Sequence, residues 1–471
     1  MDAAKVRMHK TLSLPCCRPS MRFPSGAHHF IHSLPSGIAV RAAWACIVLL
    51  HVVFLVYALS HDHCYTADSS EYLFASENLK QGVLYAGHLN DNPEDPSLFS
   101  RRTPGYPLFL LISGGGIITL LIQLALSLFS IHTGLRILRL FQTPPFAELV
   151  YLLLFCLQGS QMVYSSMYMT EILFQSILVY TLFLLVQSCK QITKAQVIQI
   201  HVLMAALYLI KPIALFCWVP VSLFFFFRWR KTLSARLLLI PALLHLGIIG
   251  CITWNNYRQT GVMEYSNISR KVLLNYTVPL LIKSDHKQES SANNLLHFQD
   301  SLAKMEYAVQ CKAADDYIRN TIQAAPVEFL ILHMKGVARF LFDTGRWDLE
   351  CWRMGYQHVE ESPSLMGMAK RQGVGGLLSY FNGLPPTYSL YYLMSSICIV
   401  MTGLLFIYGF FSAPFPMYAK TMIGCTVLYF SLLSGPSSSA RFRLSVGPLI
   451  VLVAAACLSN RQLFHLKQKN E

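Results

Sequence analysis

The chain contains ten apolar stretches, and their lengths restrict what it can fold into. Six have about 20 residues or more, the length that a helix needs to cross a bilayer. These six are 37–59, 117–138, 146–164, 168–187, 236–254 and 388–411. The other four are shorter, near the lower limit for spanning: 195–210, 212–227, 418–433 and 444–459. Because 54% of the residues are hydrophobic and only 13% are charged, the sequence predicts an all-α polytopic membrane protein.

The positive charge of the chain is concentrated on one side of this arrangement. The net charge is +14, and the segments on the side of both termini hold 18 Lys and Arg residues against two acidic ones. These segments are 1–41, 136–146, 188–196, 228–236, 412–420 and 460–471. The opposite segment 60–116 has three basic and seven acidic residues. The positive-inside rule therefore predicts ten crossings with both termini in the cytoplasm, and the charge requires no nucleic-acid partner.

The remaining sequence divides into a membrane core and outer segments. The predicted parts are a cytoplasmic disordered leader (1–36), a transmembrane core (37–254) with a first outer loop (60–116), a mainly helical outer domain (255–387), C-terminal transmembrane helices (388–459) and a cytoplasmic tail (460–471). Within the outer domain, 327–343 is apolar but carries Glu328, Lys335 and Arg339, which predicts an interfacial amphipathic helix. Residues 344–386 are expected to form a mobile loop, and the pairing of Cys311 with Cys351 is left open.

Short polar motifs recur at the predicted outer ends of these helices. The first outer loop contains Asp68-Ser69-Ser70-Glu71-Tyr72, a predicted helix over 69–80, and then Arg102-Thr103-Pro104-Gly105-Tyr106-Pro107. Further motifs are Thr170-Glu171, Lys211-Pro212, Trp254-Asn255-Asn256-Tyr257 and Arg441-Phe442-Arg443. Ionisable groups at membrane depth usually mark a functional site. These motifs therefore predict a functional site on the outer face.

In their order along the chain, these motifs resemble the bacterial GT-C superfamily of polyprenyl-phosphate-dependent glycosyltransferases. The resemblance is to the branch with the protein O-mannosyltransferases and the lipid A aminoarabinose transferase, and it covers residues 35 to 460. It implies an inverting hexosyl- or pentosyltransferase in the bacterial inner membrane, with its active site in the periplasm. The implied partners are a polyprenyl-phosphate sugar donor, membrane lipids, and a lipid, glycan or protein acceptor.

The resemblance places Asp68 at the catalytic centre, where it would orient and deprotonate the acceptor hydroxyl. A second interpretation needs no chemistry, because Asp68 and Glu71 have the spacing of a capping box for helix 69–80. Glu171 is expected at the outer mouth of its helix as a second acid. Its alternative role is stabilisation by the helix dipole alone.

A departing lipid phosphate requires cations, and the outer helix ends supply candidates. The candidates for donor-phosphate binding are Lys211, Arg441, Arg443, Arg101 and Arg102. Their alternative role is to anchor the chain among lipid headgroups. The residues expected to support the substrate loops are Glu71, Tyr72, Tyr106 and Tyr257.

Two questions stay open at the level of sequence. No cofactor is certain, and a divalent metal held by Asp68 and Glu171 is one alternative. The alternative function is a transporter or flippase of lipid-linked sugars. Transporters often contain two matching hydrophobic halves, whereas this chain shows no internal repeat and its unusual charges lie at helix ends on one face. That distribution favours one-sided chemistry.

Overall fold

The computed structural model describes residues 36–89, 95–189, 191–229, 234–284, 288–359 and 365–470. The helices of its first half are α1 (Ser36–Ser60), α2 (Ala67–Leu79), α3 (Gly105–Ser113), α4 (Ile117–Leu140), α5 (Pro145–Cys156), α6 (Gly159–Ser165), α7 (Glu171–Ser188), α8 (Lys194–Ile210), α9 (Trp218–Trp229) and α10 (Ala235–Thr260). The described ranges contain no β-strand. This agrees with the predicted all-α fold.

The second half is also helical. Its α-helices are α11 (Ile268–Val272), α12 (Val278–Ser284), α13 (Gln288–Leu302), α14 (Tyr307–Ala324), α15 (Pro326–Phe342), α16 (Arg346–Met354), α17 (Leu365–Asn382), α18 (Pro386–Ser412), α19 (Met417–Ser434), α20 (Ala440–Leu444) and α21 (Gly447–Asn470). A short π-helix at Leu273–Thr277 links α11 to α12. The predicted leader lies almost wholly outside the described residues, whereas α21 continues through the predicted tail to Asn470.

Six helical segments in the described ranges are long and apolar enough to cross a membrane. They are Gly37–Ser60, Ile117–Leu140, Glu171–Ser188, Pro212–Trp229, Leu239–Thr260 and Pro386–Ser412. Two shorter helices, Lys194–Ile210 and Gly447–Ser459, are apolar as well. The chain is therefore a membrane protein, and the count of ten crossings stays a prediction.

The predicted span 146–164 is not one continuous helix in the structure. The structure divides it into α5 and α6, which meet at an angle of 67°. Gly159 begins α6 at the bend, and a Cβ at this position would lie 3.1 Å from Leu349 of α16. The bend thus makes room for α16, an interaction between distant segments that hydropathy along the chain does not report.

The C-terminal end of α15 lies inside the helix bundle. A Cβ on Gly403, in the middle of α18, would lie 2.8 Å from the Phe342 ring. Gly336 packs directly against the carbonyl of Gly435, at the end of α19. One side of α15 therefore packs on α18 and α19, and its position at the membrane interface stays a prediction. Residues 344–386 are not an irregular loop, since most of their described part forms α16 and α17.

The first outer loop is fixed to the end of α8. A Cβ on Gly105 would lie 2.6 Å from the Leu209 carbonyl, so the backbones of α3 and α8 meet closely and only glycine fits. The hydroxyl of Thr103 donates to the Ile210 carbonyl at 3.2 Å. These contacts bring the residues before α3 next to Lys211, the residue that follows α8. They are the fold's main contribution to positioning the site.

Candidate active site

Asp68 lies in the first turn of α2 and does not cap it. The N-cap is Thr66, whose backbone N–H donates to the hydroxyl of Ser69 at 2.9 Å. The predicted start at residue 69 is therefore two residues late, and the capping box of Asp68 and Glu71 is wrong. The carboxylate of Asp68 is left free of a capping role and is directed toward side chains from other segments.

Arg102 binds the side chains on the polar face of α2. Asp68, Glu71 and Tyr72 are spaced three and four residues apart, so a helix presents them on one side. The Arg102 guanidinium donates to Asp68 Oδ1 at 2.6 Å, to Glu71 Oε2 at 2.7 Å and to the Tyr72 hydroxyl at 3.0 Å. It also lies 4.4 Å from the centre of the Tyr72 ring. One buried arginine thereby fixes the orientation of the proposed catalytic carboxylate.

Glu171 is the first residue of α7 and has no exposed surface. Its Oε1 accepts from the Lys211 ammonium at 2.9 Å and from Arg441 Nε at 2.6 Å. The hydroxyl of Thr170 donates to its other oxygen at 3.2 Å. A buried carboxylate with two cationic partners keeps its charge. Lys211, which lies between an α-helix and a 3₁₀ turn, is accounted for by this ion pair.

Arg441 joins the two acids. Its Nη2 lies 2.7 Å from Asp68 Oδ2, while its Nε binds Glu171. Acids that are far apart in sequence therefore meet at one guanidinium, which comes from the short helix α20. We call the resulting alternation of charges the charged row. Its members, in spatial order, are Glu71, Arg102, Asp68, Arg441, Glu171 and Lys211.

The charges of the row hold Asp68 in its ionised form. Burial would raise the pKa of Asp68, but Arg441 and Arg102 outweigh it and hold that pKa well below its ordinary value. Arg102 correspondingly has a raised pKa, despite its own burial, because Tyr72, Asp68 and Glu71 surround it. In the ligand-free protein Asp68 is therefore a stable carboxylate and a weak base.

Arg443 and Arg101, two of the predicted phosphate-binding cations, make no contact with Asp68 or Glu171 among the described hydrogen bonds and ion pairs. Arg443 donates to the carbonyls of Leu341 and Asp343, at 3.2 and 2.6 Å, and so caps the C-terminal end of α15. Arg101 is buried and donates to the Ser97 hydroxyl at 3.0 Å. The Nε and Nη1 atoms of Arg101 have no hydrogen-bond partner.

The predicted loop-support residues are divided in the same way. Glu71 and Tyr72 contact Arg102, as described. Tyr106 packs edge-on against Tyr72 with ring centres 5.0 Å apart, and its hydroxyl donates to Gln123 at 2.6 Å. Tyr257 is exposed on α10 and packs against Trp254. The described contacts do not connect Tyr257 to the charged row.

Sequence reasoning missed Asp348, a buried acid beside the row. Its carboxylate accepts from the Ser160 hydroxyl at 2.7 Å and from the Tyr164 hydroxyl at 2.9 Å. Burial raises the pKa of Asp348 to about 6, even though the hydrogen bond from Ser160 acts to lower that pKa. No signal in the sequence singles out this acid from the others of the outer domain. Asp348 meets its partners Ser160 and Tyr164 because the bend between α5 and α6 brings α6 against α16.

The described side chains form no ready metal site. Within the described ranges, no group of three or more His, Cys, Asp or Glu residues comes together to hold an ion. Arg441 lies between Asp68 and Glu171, the two acids that would have to share a metal. Cys311 and Cys351 are both unpaired, and the Cys311 sulfur accepts from Arg270 at 3.2 Å.

Comparison with known proteins adds a weak similarity to a solved structure. No protein-family model matches the chain, and no curated protein matches it. Among solved structures it is similar to ArnT from Cupriavidus metallidurans in the apo state, with 10% sequence identity and a TM-score of 0.32. The alignment covers 89% of this chain and 77% of ArnT. A similarity this low says nothing about function. The functional proposal rests on the geometry of the charged row.

Proposed function

We propose that this protein is an integral-membrane glycosyltransferase that uses a polyprenyl-phosphate-linked sugar. The observation that carries the proposal is the meeting of Asp68 and Glu171 at Arg441. Two acids and three cations from five separate segments form one partly exposed cluster, which a purely structural ion pair does not require. The order of motifs that resembles the GT-C superfamily supports the same chemistry.

In this mechanism Asp68 is the general base. An acceptor hydroxyl donates its proton to Asp68 Oδ2 while its oxygen attacks the anomeric carbon of the sugar. The bond from that carbon to the phosphate oxygen breaks, and the electron pair leaves with the lipid phosphate. Asp68 is 29% exposed, whereas Glu171 has no exposed surface, so only Asp68 can reach an acceptor. A single displacement inverts the anomeric centre.

The cations of the row stabilise the departing phosphate. Arg441 is 27% exposed and lies between the two acids, where its guanidinium can contact the leaving group beside the base. Lys211 lies behind it on Glu171, at 13% exposure. Positive charge fixed in advance lowers the barrier where negative charge develops. Glu171 then serves as a positioning residue that keeps Arg441 and Lys211 in place.

The location of the reaction is part of the proposal. The positive-inside distribution supports an outer position for the charged row, on the periplasmic face of a bacterial inner membrane. The donor would then enter from the lipid phase. A lipid, glycan or protein acceptor would approach from the aqueous side, over α2.

The proposal is tested with the purified full-length chain in lipid nanodiscs. Undecaprenyl-phosphate-linked hexoses and pentoses are supplied with candidate lipid, glycan and peptide acceptors, and both sugar transfer and free lipid phosphate are measured. We expect transfer with stoichiometric release of lipid phosphate from at least one donor. Movement of a lipid-linked sugar across a vesicle bilayer, with its sugar bond intact and no transfer, would instead establish a flippase.

A further inference from the structure

The contacts of Arg441 have an unusual geometry. A guanidinium commonly grips one carboxylate or one phosphate with two neighbouring N–H groups. In Arg441 these two groups are divided, since Nε binds Glu171 and Nη2 binds Asp68. The Nε–Nη2 edge, one of the two edges that can bind a phosphate with two N–H groups, is therefore occupied by two carboxylates from different helices.

The charges around Arg441 lead to the same conflict. Its guanidinium lies between two carboxylates, 2.7 Å from Asp68 and 2.6 Å from Glu171. The other cations are paired as well: Arg102 with Asp68 and Glu71, Lys211 with Glu171, and the more exposed Lys271 with Glu71 at 3.9 Å. A phosphate that reached Arg441 without any rearrangement would lie beside both carboxylates, and like charges repel each other.

We propose that the donor's lipid phosphate displaces Asp68 from Arg441, so that the donor itself releases the base that the reaction needs. This inference rests on the proposed function and deepens it. Arg441 exchanges one partner for another: the carboxylate before binding and the phosphate after it. The ligand-free contact between Asp68 and Arg441 is a resting state of the site.

Asp68, rather than Glu171, is the acid that is displaced. Glu171 is fully buried and is also held by Lys211, so releasing it would strand a carboxylate away from water. Asp68 is partly exposed and keeps its contact with Arg102 through Oδ1. The exchange therefore frees only Oδ2, while Arg102 preserves the orientation of the carboxylate.

The exchange also changes the basicity of Asp68. Arg441 is one of the two cations that hold the pKa of Asp68 low against the effect of burial. When a phosphate neutralises Arg441, this cation no longer offsets burial, and Asp68 accepts a proton more readily. A weak base becomes a stronger one only when a donor is present. In the empty site Asp68 is therefore too weak a base to activate water.

The test measures binding of undecaprenyl phosphate, without a sugar, to the purified full-length protein in nanodiscs. If Asp68 competes with the phosphate for Arg441, then Asp68→Asn removes the competitor and binding becomes tighter. We expect a gain of roughly tenfold, within the range of about 5–150-fold by which one interaction changes the affinity of another. Glu77→Gln is the matched control, because it removes one negative charge from the exposed face of the same helix. Its affinity should equal that of the wild type.

Two further variants complete the experiment. Asp68→Glu keeps the charge and should bind as the wild type does. Asp68→Ala also removes the charge and should show the tenfold gain, so it replaces Asp68→Asn if that variant does not fold. Unchanged or weaker binding by both neutral variants, relative to Glu77→Gln, overturns the exchange while the proposed function stands. Absence of binding by the wild type overturns the proposed donor class and the exchange together.

Discussion

At the scale of single residues, the site depends on ion pairs whose members differ greatly in burial. Glu171 has no exposed surface and neutralises two cations, whereas Asp68 is partly exposed and shares its charge between Arg102 and Arg441. Removing one member of a buried pair leaves an unpaired charge, which is far more costly than losing a contact at the surface. Stability and catalysis should therefore depend on different acids.

Glu171→Gln should destabilise the protein more than any other neutralisation in the row. The variant leaves Lys211 and Arg441 without their shared anion, and breaking a buried pair costs about 3–5 kcal/mol. Thermal unfolding of the purified protein in detergent measures the effect. Glu77→Gln, at an exposed pair with Lys80, should leave the melting temperature unchanged. Equal melting temperatures for the two variants would contradict the buried position of Glu171.

The low pKa of Asp68 predicts a particular pH dependence of stability. Because the folded pKa lies below the unfolded value of about 4, the ionised group stabilises the fold above that value. The contribution is lost as the pH falls further, through the folded pKa. The difference in melting temperature between wild type and Asp68→Asn should therefore stay constant from pH 7 to 5 and shrink only in stronger acid. A difference that shrinks already between pH 7 and 5 would refute the low pKa.

The sequence identified several of these residues but not their partners. Asp68, Glu171, Lys211 and Arg441 stand out because ionisable groups at membrane depth are costly without a function. Nothing local distinguishes Arg441 from Arg443, since both follow the same turn. The difference comes from α15, because the carbonyls at its C-terminal end bind Arg443 and leave Arg441 to the two acids.

At the scale of elements, the row is assembled by helices whose ends pack closely. The helix α15 meets the end of α19 through Gly336, where the backbone of Gly435 leaves no room for a side chain. This contact places the end of α15 on Arg443, which belongs to the same short helix as Arg441. Hydropathy predicted most of the long helices, but it could not predict the bend at Gly159 or the insertion of α15. Both depend on contacts between segments remote in sequence.

Gly336→Ala tests this packing. The added Cβ would collide with the Gly435 backbone, and overpacking of this kind costs about 1–3 kcal/mol. We expect a lower melting temperature together with reduced sugar transfer, because α20 carries Arg441. Gly250→Ala is the control, since a Cβ there meets nothing within 4 Å in the helix α10. That variant should melt at or slightly above the wild-type temperature.

At the scale of the whole molecule, the charge of +14 is the basis of the proposed orientation. Basic residues lie in the segments predicted to be cytoplasmic, and the charged row lies at the opposite ends of its helices. In the proposed function, the enzyme works from one side of the membrane. The orientation is therefore as much a part of the proposed mechanism as the row itself.

Thiol labelling tests the orientation. Cysteine is introduced at Glu77, in the first outer loop, and separately at Ala195, in a predicted cytoplasmic segment; both positions are exposed. A membrane-impermeant maleimide applied to spheroplasts should label Glu77→Cys, and Ala195→Cys only after lysis. The wild type supplies the background from native cysteines. The reverse pattern would place the charged row in the cytoplasm.

The central claim is that Asp68 is the base of a sugar transfer. The most direct measurement is the rate of transfer from the preferred undecaprenyl-phosphate sugar by folded Asp68→Asn, compared with Glu77→Gln. General-base catalysis contributes about 10²–10⁴-fold, so Asp68→Asn should lose at least a hundredfold in kcat, while Glu77→Gln retains the wild-type rate. Equal rates for Asp68→Asn and Glu77→Gln would remove Asp68 from the mechanism and contradict the account.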